Sequence, residues 1–337
     1  MTASTSEPFD IPVALFLFKR SSTLKRIFAV LAQVRPSKLY LVADAARHDD
    51  EQAAVDETRR LAESLVTWPC EVVRDYAVEN RGVHENIGSG ALRVFAQEDR
   101  AIFLEDDNLP EASFFPFCQA MLDRYRDDPS VLWVCGTNYF GEQVHPDGLS
   151  YVFTQHLLPC GWASWADKFV PAYDRELKTL GPQTERIFKD SYRDKRLWRQ
   201  QRHSVGVTKT FLRDDPGRAS WDYQMLFSLR SQGRFGIVPM RNQIRNIGVD
   251  ALSTHGGTSY DHEMTRRFCS MPSHPMVPPY VGPDQPKIDP KVEDALGRVL
   301  LRPMRDRLMS RGASVVKWLL RIDQDQSLAT ILRDRGK

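Results

Sequence analysis

The chain has 337 residues, of which 42% are hydrophobic and 27% are charged, and this composition is typical of a globular protein with a sizeable core. The formal net charge of +2 argues against a dedicated nucleic-acid-binding protein. The five cysteines contain no C-x-x-C pair, which disfavours a disulfide framework or a zinc ribbon and favours a reducing, cytoplasmic compartment.

The sequence gives no sign of a targeting or membrane-spanning segment. The first ten residues lack a basic stretch followed by an apolar run, so no signal peptide is predicted. No run of about 18 or more apolar residues occurs, so no membrane-spanning helix is predicted.

Short apolar runs alternate with segments of helical periodicity over the first third of the chain. The fully apolar runs are typical of strands that are buried on both faces of a parallel sheet. The pattern predicts strands at 12–18, 39–43, 70–73 and 101–104, and helices at 21–34, 51–66 and 85–97. This alternation predicts an α/β fold with a Rossmann-like, mostly parallel sheet flanked by helices.

The second part of the chain is less regular. Helices are predicted at 111–125 and 220–229, strands at 131–135, 151–154 and 235–239, a Gly- and Trp-containing loop at 160–165, and a charged helical surface segment at 174–215. A proline-rich linker is predicted at 261–290 and a basic helical extension at 291–337, so the main domain would occupy 1–260.

The stretch most informative about function is the end of the fourth predicted strand, where Ile102 to Leu104 are followed by Glu105, Asp106 and Asp107. Three adjacent carboxylates repel one another unless a positive charge lies among them, and hard oxygen ligands suit Mg²⁺ or Mn²⁺. Ligands of open α/β sheets bind beyond the carboxyl ends of the strands. The stretch therefore predicts a metal–nucleotide site, and the alternative is a solvated acidic loop.

Two other strand ends support this interpretation. Lys19 and Arg20 follow the first strand and Asp44 follows the second, so right-handed crossovers would bring them to the same edge as the acids. The chain contains neither G-x-G-x-x-G after the first strand nor G-x-x-x-x-G-K-[ST], which disfavours Rossmann dehydrogenases and P-loop enzymes.

Taken together, the basic end of the first strand, Asp44, the Glu-Asp-Asp tripeptide, the Gly161-Trp162 pair and the later Trp221-Asp222 pair resemble a GT-A glycosyltransferase. The similarity is to the N-acetylglucosaminyltransferase I type and its bacterial relatives, over about residues 11–257. It implies a metal-dependent enzyme that transfers a sugar from a nucleoside-diphosphate donor, with UDP as the expected nucleotide.

The resemblance also implies roles for individual residues. Arg20 would lie against the nucleotide, Asp44 would bond the uracil, and His84 would lie on the uridine side. Glu105 would contact the donor sugar, Asp106 the ribose, and Asp107 the metal; Gly161 and Trp162 would lie near donor and acceptor, and Asp222 would be the catalytic base.

Several of these residues also have plain structural interpretations. Asp222 follows a Trp that would shield it and raise its pKa, but a carboxylate at a helix start is also a simple cap. Trp162 is expected to stack on a sugar, and its alternative is a place in the core. His255, in a Ser-Thr-His-Gly-Gly loop, is predicted as a second Mn²⁺ ligand, and its alternative is a surface histidine.

The carboxyl-terminal segment is basic and amphipathic, with Trp318 among its apolar residues. Such a helix fits peripheral contact with an anionic membrane surface, which would suit a lipid-linked glycan acceptor. Packing on its own domain or on a second subunit of an oligomer is the alternative.

The sequence therefore predicts an inverting, metal-dependent glycosyltransferase with a glycan or other hydroxyl acceptor and no nucleic-acid partner. Two alternatives remain open. One is a nucleotidyltransferase that makes sugar nucleotides, although such enzymes usually begin with a Gly-rich loop that is lacking here. The other is a catalytically inactive glycan-binding or scaffolding protein.

Overall fold

The structure, a computed structural model, describes residues 9–249 and 259–306. Ten strands are described in these ranges: β1 (Val13–Leu17), β2 (Lys38–Ala43), β3 (Glu71–Tyr76), β4 (Arg100–Glu105), β5 (Asn108–Pro110), β6 (Val131–Cys135), β7 (Tyr151–Thr154), β8 (Trp162–Trp165), β9 (Phe235–Pro239) and β10 (Ile244–Asn246).

Ten α-helices are described in the same ranges: α1 (Ser21–Val34), α2 (Asp49–Ser64), α3 (Gly90–Phe95), α4 (Phe114–Arg124), α5 (Ala166–Ala172), α6 (Pro182–Asp190), α7 (Lys195–Asp214), α8 (Asp222–Ser231), α9 (Glu263–Cys269) and α10 (Pro290–Leu300). A π-helical turn, His84–Ser89, runs directly into α3, and a 3₁₀ turn, Pro216–Arg218, precedes α8. None of the helices within the described ranges is long and apolar enough to cross a membrane.

Eight strands form one sheet in the order β3-β2-β1-β4-β8-β6-β9-β7, and β5 pairs with β10 in a separate antiparallel ribbon. Strands β3, β2, β1 and β4 are parallel, β8 runs antiparallel to both β4 and β6, and β7 runs antiparallel to β9. The predicted α/β fold with a mostly parallel sheet is confirmed.

The sheet is covered on both faces, which explains why its central strands are apolar throughout. All five residues of β1 are buried. Helices α1, α2 and α4 pack on one face, and α3, α5 and α8 pack on the other. A smaller apolar cluster joins α6, α7 and α8.

The prediction of a loop at 160–165 is wrong for residues 162–165. Trp162–Trp165 form β8, which lies in the middle of the sheet with all four residues buried. The Ser164 hydroxyl donates a hydrogen bond to the Leu132 carbonyl at 2.7 Å, so the polar member of the strand is satisfied inside the core.

The proline-rich segment predicted as a linker instead packs on the sheet. Met276 is buried, the Tyr280 ring packs edge-on against Phe117 with centroids 5.4 Å apart, and Ile288 bridges to Phe153. Helix α10 then joins the core that also contains α8. The described part of this segment and α10 thus both contact the main sheet and its helices, and the predicted division at 260 and 290 stays a prediction. Most of the predicted basic extension, residues 307–337, lies outside the described residues.

Candidate functional site

The strand order reverses between β1 and β4. From β1 the chain continues to β2 and β3 on one side, whereas from β4 it continues to strands on the other side. In open α/β sheets the crevice beyond such a reversal point is where ligands bind. Register pairs Phe16 with Glu105 and Leu17 with Ala43, so the three strands end side by side, as predicted.

Arg20 and the three carboxylates Glu105, Asp106 and Asp107 lie at this edge, and the charge of Asp222 acts on the same group. We call these five residues the strand-end cluster. It contains four carboxylates and one guanidinium, so it carries a large excess of negative charge.

Asp106 connects the ends of the two strands. Its carboxylate accepts a hydrogen bond from the Phe18 amide at 3.0 Å, and its carbonyl accepts one from the Thr23 hydroxyl. These bonds hold the start of α1 against the end of β4. Its contact with a ribose stays a prediction, and one carboxylate oxygen already has a structural partner.

Asp107 is held from three sides. Asn108 Nδ2 donates to its Oδ1 at 2.6 Å, Arg20 Nη1 lies 3.4 Å from its Oδ2, and the Asn246 side chain also bonds it. Burial raises the pKa of Asp107 above its ordinary value, although Arg20 and the two asparagines act in the opposite direction. The carboxylate is therefore fixed in orientation but is not fully compensated in charge.

Glu105 shows the charge imbalance most clearly. Burial, followed by the charges of Asp107 and Asp106, raises the pKa of Glu105 well above its ordinary value, and Asp222 acts in the same direction. Of the main influences on the pKa of Glu105, Arg20 alone lowers it. Carboxylates perturbed in this way in a crevice are typical of functional sites.

Gly248 covers the ion pair between Arg20 and Asp107. A Cβ atom at this position would overlap the Arg20 guanidinium and lie 2.7 Å from Asp107 Cβ, so no larger residue fits without displacing the pair. The Ile247 amide also donates to the Asp107 carbonyl at 2.8 Å. The next part of the chain, which includes His255, lies outside the described residues, and the metal role of His255 stays a prediction.

Asp222 is the first residue of α8, and the Ser220 hydroxyl donates a hydrogen bond to its carboxylate. The side chain is partly exposed, and Trp221 before it is buried. Asp222 thus combines the geometry of a helix start with a position in the strand-end cluster. Its role as a base stays a prediction.

Asp44 lies at the same edge, but its carboxylate is occupied within the chain. Oδ1 accepts from the Ala45 and Arg81 amides at 2.8 and 2.7 Å, and Oδ2 accepts from the Gly82 amide and Asn80 Nδ2 at 3.0 and 3.1 Å. These bonds anchor the turn after β3. A bond from uracil, which stays a prediction, would compete with them.

His84 is buried beneath α8. Its Nδ1 accepts from Gln224 Nε2 at 3.0 Å, and its ring also bonds the Ser220 backbone. Burial, followed by the charge of Arg175, lowers the pKa of His84. The ring therefore fixes the beginning of α8 and, through it, Asp222, and this position does not favour the predicted uridine contact.

Trp162 does not have a free face for a sugar, which corrects its predicted stacking role. The indole is 1% exposed and lies between Phe103 and Trp133, with ring centroids 4.0 and 4.1 Å away. Gly161 before it adopts φ +63°, where a Cβ atom would contact Ile244 at 2.5 Å. The Gly161-Trp162 pair is thus needed for the turn and the core.

Sequence reasoning missed Asn108 and Asn246. Asn108 is buried and joins two parts of the site, since its Nδ2 bonds Asp107 and its Oδ1 accepts from the Gly161 amide at 2.8 Å. The signal available in the sequence is its place directly after the acidic tripeptide. Asn246 reaches the site only because β10 pairs with β5, which no local pattern indicates.

The described residues do not contain a complete metal site, since no three or more His, Cys, Asp or Glu side chains form one. The strand-end cluster nevertheless suits a divalent cation that a substrate phosphate helps to coordinate. Asp107 presents oriented carboxylate oxygens, and an added cation would relieve the repulsion that raises the pKa of Glu105.

No protein-family model matches the sequence, and no curated protein matches it. Solved structures with a similar arrangement include galactosyltransferase LgtC in complex with donor and acceptor sugar analogues, at 10% identity, 67% coverage of this chain, 73% of that one and a TM-score of 0.32. A UDP-glucose pyrophosphorylase complexed with UDP-glucose is 9% identical, with a TM-score of 0.34. The match covers 70% of this chain and 93% of that one.

A third similar structure is 4-diphosphocytidyl-2C-methyl-D-erythritol synthase from Anaerococcus prevotii, which is 13% identical, with a TM-score of 0.32. The match covers 51% of this chain and 79% of that one. These scores are too low to assign an activity to this chain.

Proposed function

We propose that this chain is a GT-A-type, inverting glycosyltransferase that transfers a sugar from a nucleoside-diphosphate donor, with UDP as the nucleotide, to a hydroxyl acceptor. The observation that carries the proposal is the strand-end cluster at the reversal point of the sheet. A basic side chain and three adjacent carboxylates lie there, and the charge of Asp222 on α8 acts on Glu105.

On the donor side, Arg20 and Asp107 have complementary tasks. The Arg20 guanidinium is almost fully buried beside Asp107, where it can meet the phosphate or base side of a nucleotide. Asp107, with its orientation fixed by Asn108, is the carboxylate that would hold Mn²⁺ or Mg²⁺. When bound, such an ion would neutralise the leaving diphosphate as a Lewis acid.

On the acceptor side, Asp222 takes the proton. The acceptor oxygen forms a bond to the anomeric carbon, the bond from that carbon to the diphosphate oxygen breaks, and the acceptor proton moves to the Asp222 carboxylate. Direct displacement with one base inverts the anomeric centre. The hydrogen bond from Ser220 and the fixing of the helix start by His84 orient this carboxylate.

The first experiment is a thermal-shift screen of nucleoside diphosphates and nucleotide sugars with Mn²⁺, because binding to the native state raises the melting temperature. We expect UDP or a UDP-sugar with Mn²⁺ to stabilise the wild type, and Asp107→Asn to abolish that shift. Asp190→Asn, on the exposed part of α6, is the matched control and should retain it. If no nucleotide stabilises the wild type, the proposal is wrong.

The same preparation separates the alternative activities. Release of UDP from a UDP-sugar supports a glycosyltransferase. Release of pyrophosphate from a nucleoside triphosphate and a sugar 1-phosphate would instead identify a nucleotidyltransferase. Donor binding without turnover, with acceptor sugars present, would indicate a catalytically inactive binding protein.

We also propose that the acceptor is a glycan, lipid-linked in its natural form, and that the enzyme works in the cytoplasm at the inner membrane face. The support is the basic amphipathic sequence of residues 307–337, which lies outside the described residues. Sedimentation with anionic liposomes should require this segment. Equal sedimentation of the full chain and of a chain ending at 306 would contradict the membrane contact.

A further inference from the structure

The exposed side of α7 is almost entirely basic. The exposed positions of this 20-residue helix are Lys195, Arg196, Arg199, Arg202, His203, Gly206, Lys209, Arg213 and Asp214. Six of these residues are Lys or Arg, and only the last is an acid. Helix α2 has the opposite character, since its exposed charged residues are Asp49, Asp50, Asp56 and Arg60. A basic exposed side is therefore a particular property of α7.

Five of the basic residues form one continuous row. Lys195, Arg199, Arg202, Lys209 and Arg213 recur three, four or seven positions apart, and this spacing places them on the same side of the helix. At 1.5 Å per residue the row is about 27 Å long. The opposite side of α7 packs in the apolar cluster with α6 and α8, so the row faces outward. We call these five residues the α7 basic face.

The acidic residues near this face neutralise it only in part. Arg202 pairs with Glu185 at 3.1 Å, and Arg213 pairs with Asp214 at 2.6 Å. Both arginine side chains are more than half exposed, and ion pairs this exposed contribute little, so an external polyanion can compete for them. Residues 182–218 contain ten Lys or Arg and five Asp or Glu, a net charge of +5, whereas the whole chain has +2. The positive charge of the chain is thus concentrated in this segment.

The carboxyl end of α7 leads to the edge of the sheet where the strand-end cluster lies. The 3₁₀ turn after α7 packs closely on the turn after β3, since a Cβ atom on Gly82 would lie 2.9 Å from the Gly217 carbonyl oxygen. The Gly82 amide donates to Asp44, and Asp222 begins α8 four residues after the 3₁₀ turn. A surface that lies along the α7 basic face would therefore approach this edge.

The last described residues run beside α7. Gln200 Nε2 donates to the Leu300 carbonyl, and Gln200 Oε1 accepts from the Arg302 amide, both at 2.9 Å. Met304, shortly after this contact, is 68% exposed. The 31 residues from 307 onward contain seven Lys or Arg and three Asp or Glu, so they do not supply the negative charge that the α7 basic face lacks. The charge complement must come from outside the chain.

We propose that the α7 basic face docks on an anionic lipid bilayer. Acidic headgroups attract Lys and Arg side chains near the membrane surface, and an outward row about 27 Å long matches an extended charged plane. The net charge of +2 of the whole chain argues against nucleic acid as the partner. The inference assigns membrane contact to described residues. Only the delivery of a lipid-linked acceptor toward Asp222 rests on the proposed function.

Sedimentation of the full chain with vesicles tests the docking surface. The vesicles contain phosphatidylcholine alone or phosphatidylcholine with phosphatidylserine. We expect binding to the anionic vesicles, and we expect Lys195→Gln/Arg199→Gln to weaken it about tenfold, because two charges of the face are lost. The matched control is Lys25→Gln/Arg26→Gln, which removes the same charge from exposed positions of α1 on the other face of the sheet. It should bind as the wild type does.

Three results would overturn the proposal. Equal weakening by the two double variants would show a response to net charge alone. Wild-type vesicle binding by the Lys195→Gln/Arg199→Gln variant would show that α7 takes no part in the contact. Tighter binding to duplex DNA than to vesicles at equal phosphate concentration, lost in the same variant, would identify nucleic acid as the partner.

The thermal shift produced by UDP with Mn²⁺, measured on the same proteins, separates this inference from the proposed function. Neither Lys195 nor Arg199 belongs to the strand-end cluster, so we expect their double variant to retain the shift. Weakened vesicle binding with an intact shift supports the docking surface. Vesicle binding that depends on Lys195 and Arg199, with no nucleotide response in the wild type, would also support it and would contradict only the proposed transfer reaction.

Discussion

Arg230, Glu293 and His156 form a second buried polar group, which we call the Arg230 network. It contains a buried carboxylate, as the strand-end cluster does, but the two regions differ in how the carboxylate charge is compensated. Glu105 has like charges around it, and burial together with those charges raises its pKa well above the ordinary value. Burial alone would also raise the pKa of Glu293, but His156, Arg230, the Thr154 hydroxyl and the Gln155 amide reverse the effect and lower it.

This difference separates an internal structural interaction from a site prepared for a ligand. The Glu293 carboxylate accepts hydrogen bonds from Thr154, Gln155 and Arg230, and these bonds connect the end of β7 and α8 to α10. The strand-end cluster lacks a comparable positive charge among the described residues, so a metal ion or a cationic group from outside would stabilise it.

Replacing Glu293 by Ala should be the most damaging change to the fold. It leaves the fully buried Arg230 without its carboxylate, and breaking a buried ion pair costs about 3–5 kcal/mol of unfolding free energy. Urea denaturation of wild type and variant measures the difference. Asp294→Ala, which breaks only the exposed pair with Arg193, is the control and should cost about 1 kcal/mol or less. A Glu293 variant as stable as this control would refute the contrast.

Asp222→Asn should leave the fold intact and remove the base. We expect donor binding to persist and sugar transfer to fall about 10²-fold or more, as is usual for loss of a general base. Steady-state release of UDP, compared with donor affinity from thermal shift, separates the two effects. Full transfer activity in this variant would remove Asp222 from the mechanism.

Asn108→Ala tests whether the amide fixes the metal-binding carboxylate. Two hydrogen bonds of a buried side chain are lost, which should lower the unfolding free energy by about 2 kcal/mol. The shift in melting temperature produced by Mn²⁺ with UDP should also weaken, because Asp107 is no longer held in one orientation. If Asn108 had a purely structural role, the variant would be less stable, but Mn²⁺ with UDP would shift its melting temperature as much as that of the wild type.

Glu105→Gln should stabilise the ligand-free protein at neutral pH, because burial and the neighbouring carboxylates raise the pKa of Glu105 and so disfavour its charged form in the folded state. The sign follows from the raised pKa. Folding favours the protonated form of Glu105, so its contribution is favourable at low pH and becomes unfavourable as the pH rises from the unfolded pKa through the folded one. The wild-type melting temperature, minus that of the variant, should therefore fall with rising pH.

The sequence contained enough information to predict much of this fold. A short run that is apolar throughout, such as Val13–Leu17, indicates a strand that is buried on both faces of a sheet. The acids after Leu104 mark the end of the central strand. The crossover rule then places Arg20 beside those acids, and the structure confirms this placement.

What the sequence did not reveal depends on contacts between distant segments. The resemblance implies that Trp162 lies near a sugar, but pairing of β8 with β4 and β6 places Trp162 in the centre of the core. The resemblance implies that His84 lies on the uridine side, which stays a prediction. Its contact with Gln224, 140 residues away in sequence, holds the ring under α8. No local periodicity encodes such pairs.

The stacking of Phe103, Trp162 and Trp133 has a practical consequence. Two indoles lie nearly parallel at 4.1 Å, and Trp221, next in sequence to Asp222, tilts against Trp133 at 6.2 Å. Aromatic rings held in fixed tertiary packing give a near-ultraviolet circular dichroism signal, so the native protein should show one that is lost when this packing loosens. Any shift in the first turn of α8 would change that spectrum, which makes the unlabelled protein its own optical reporter.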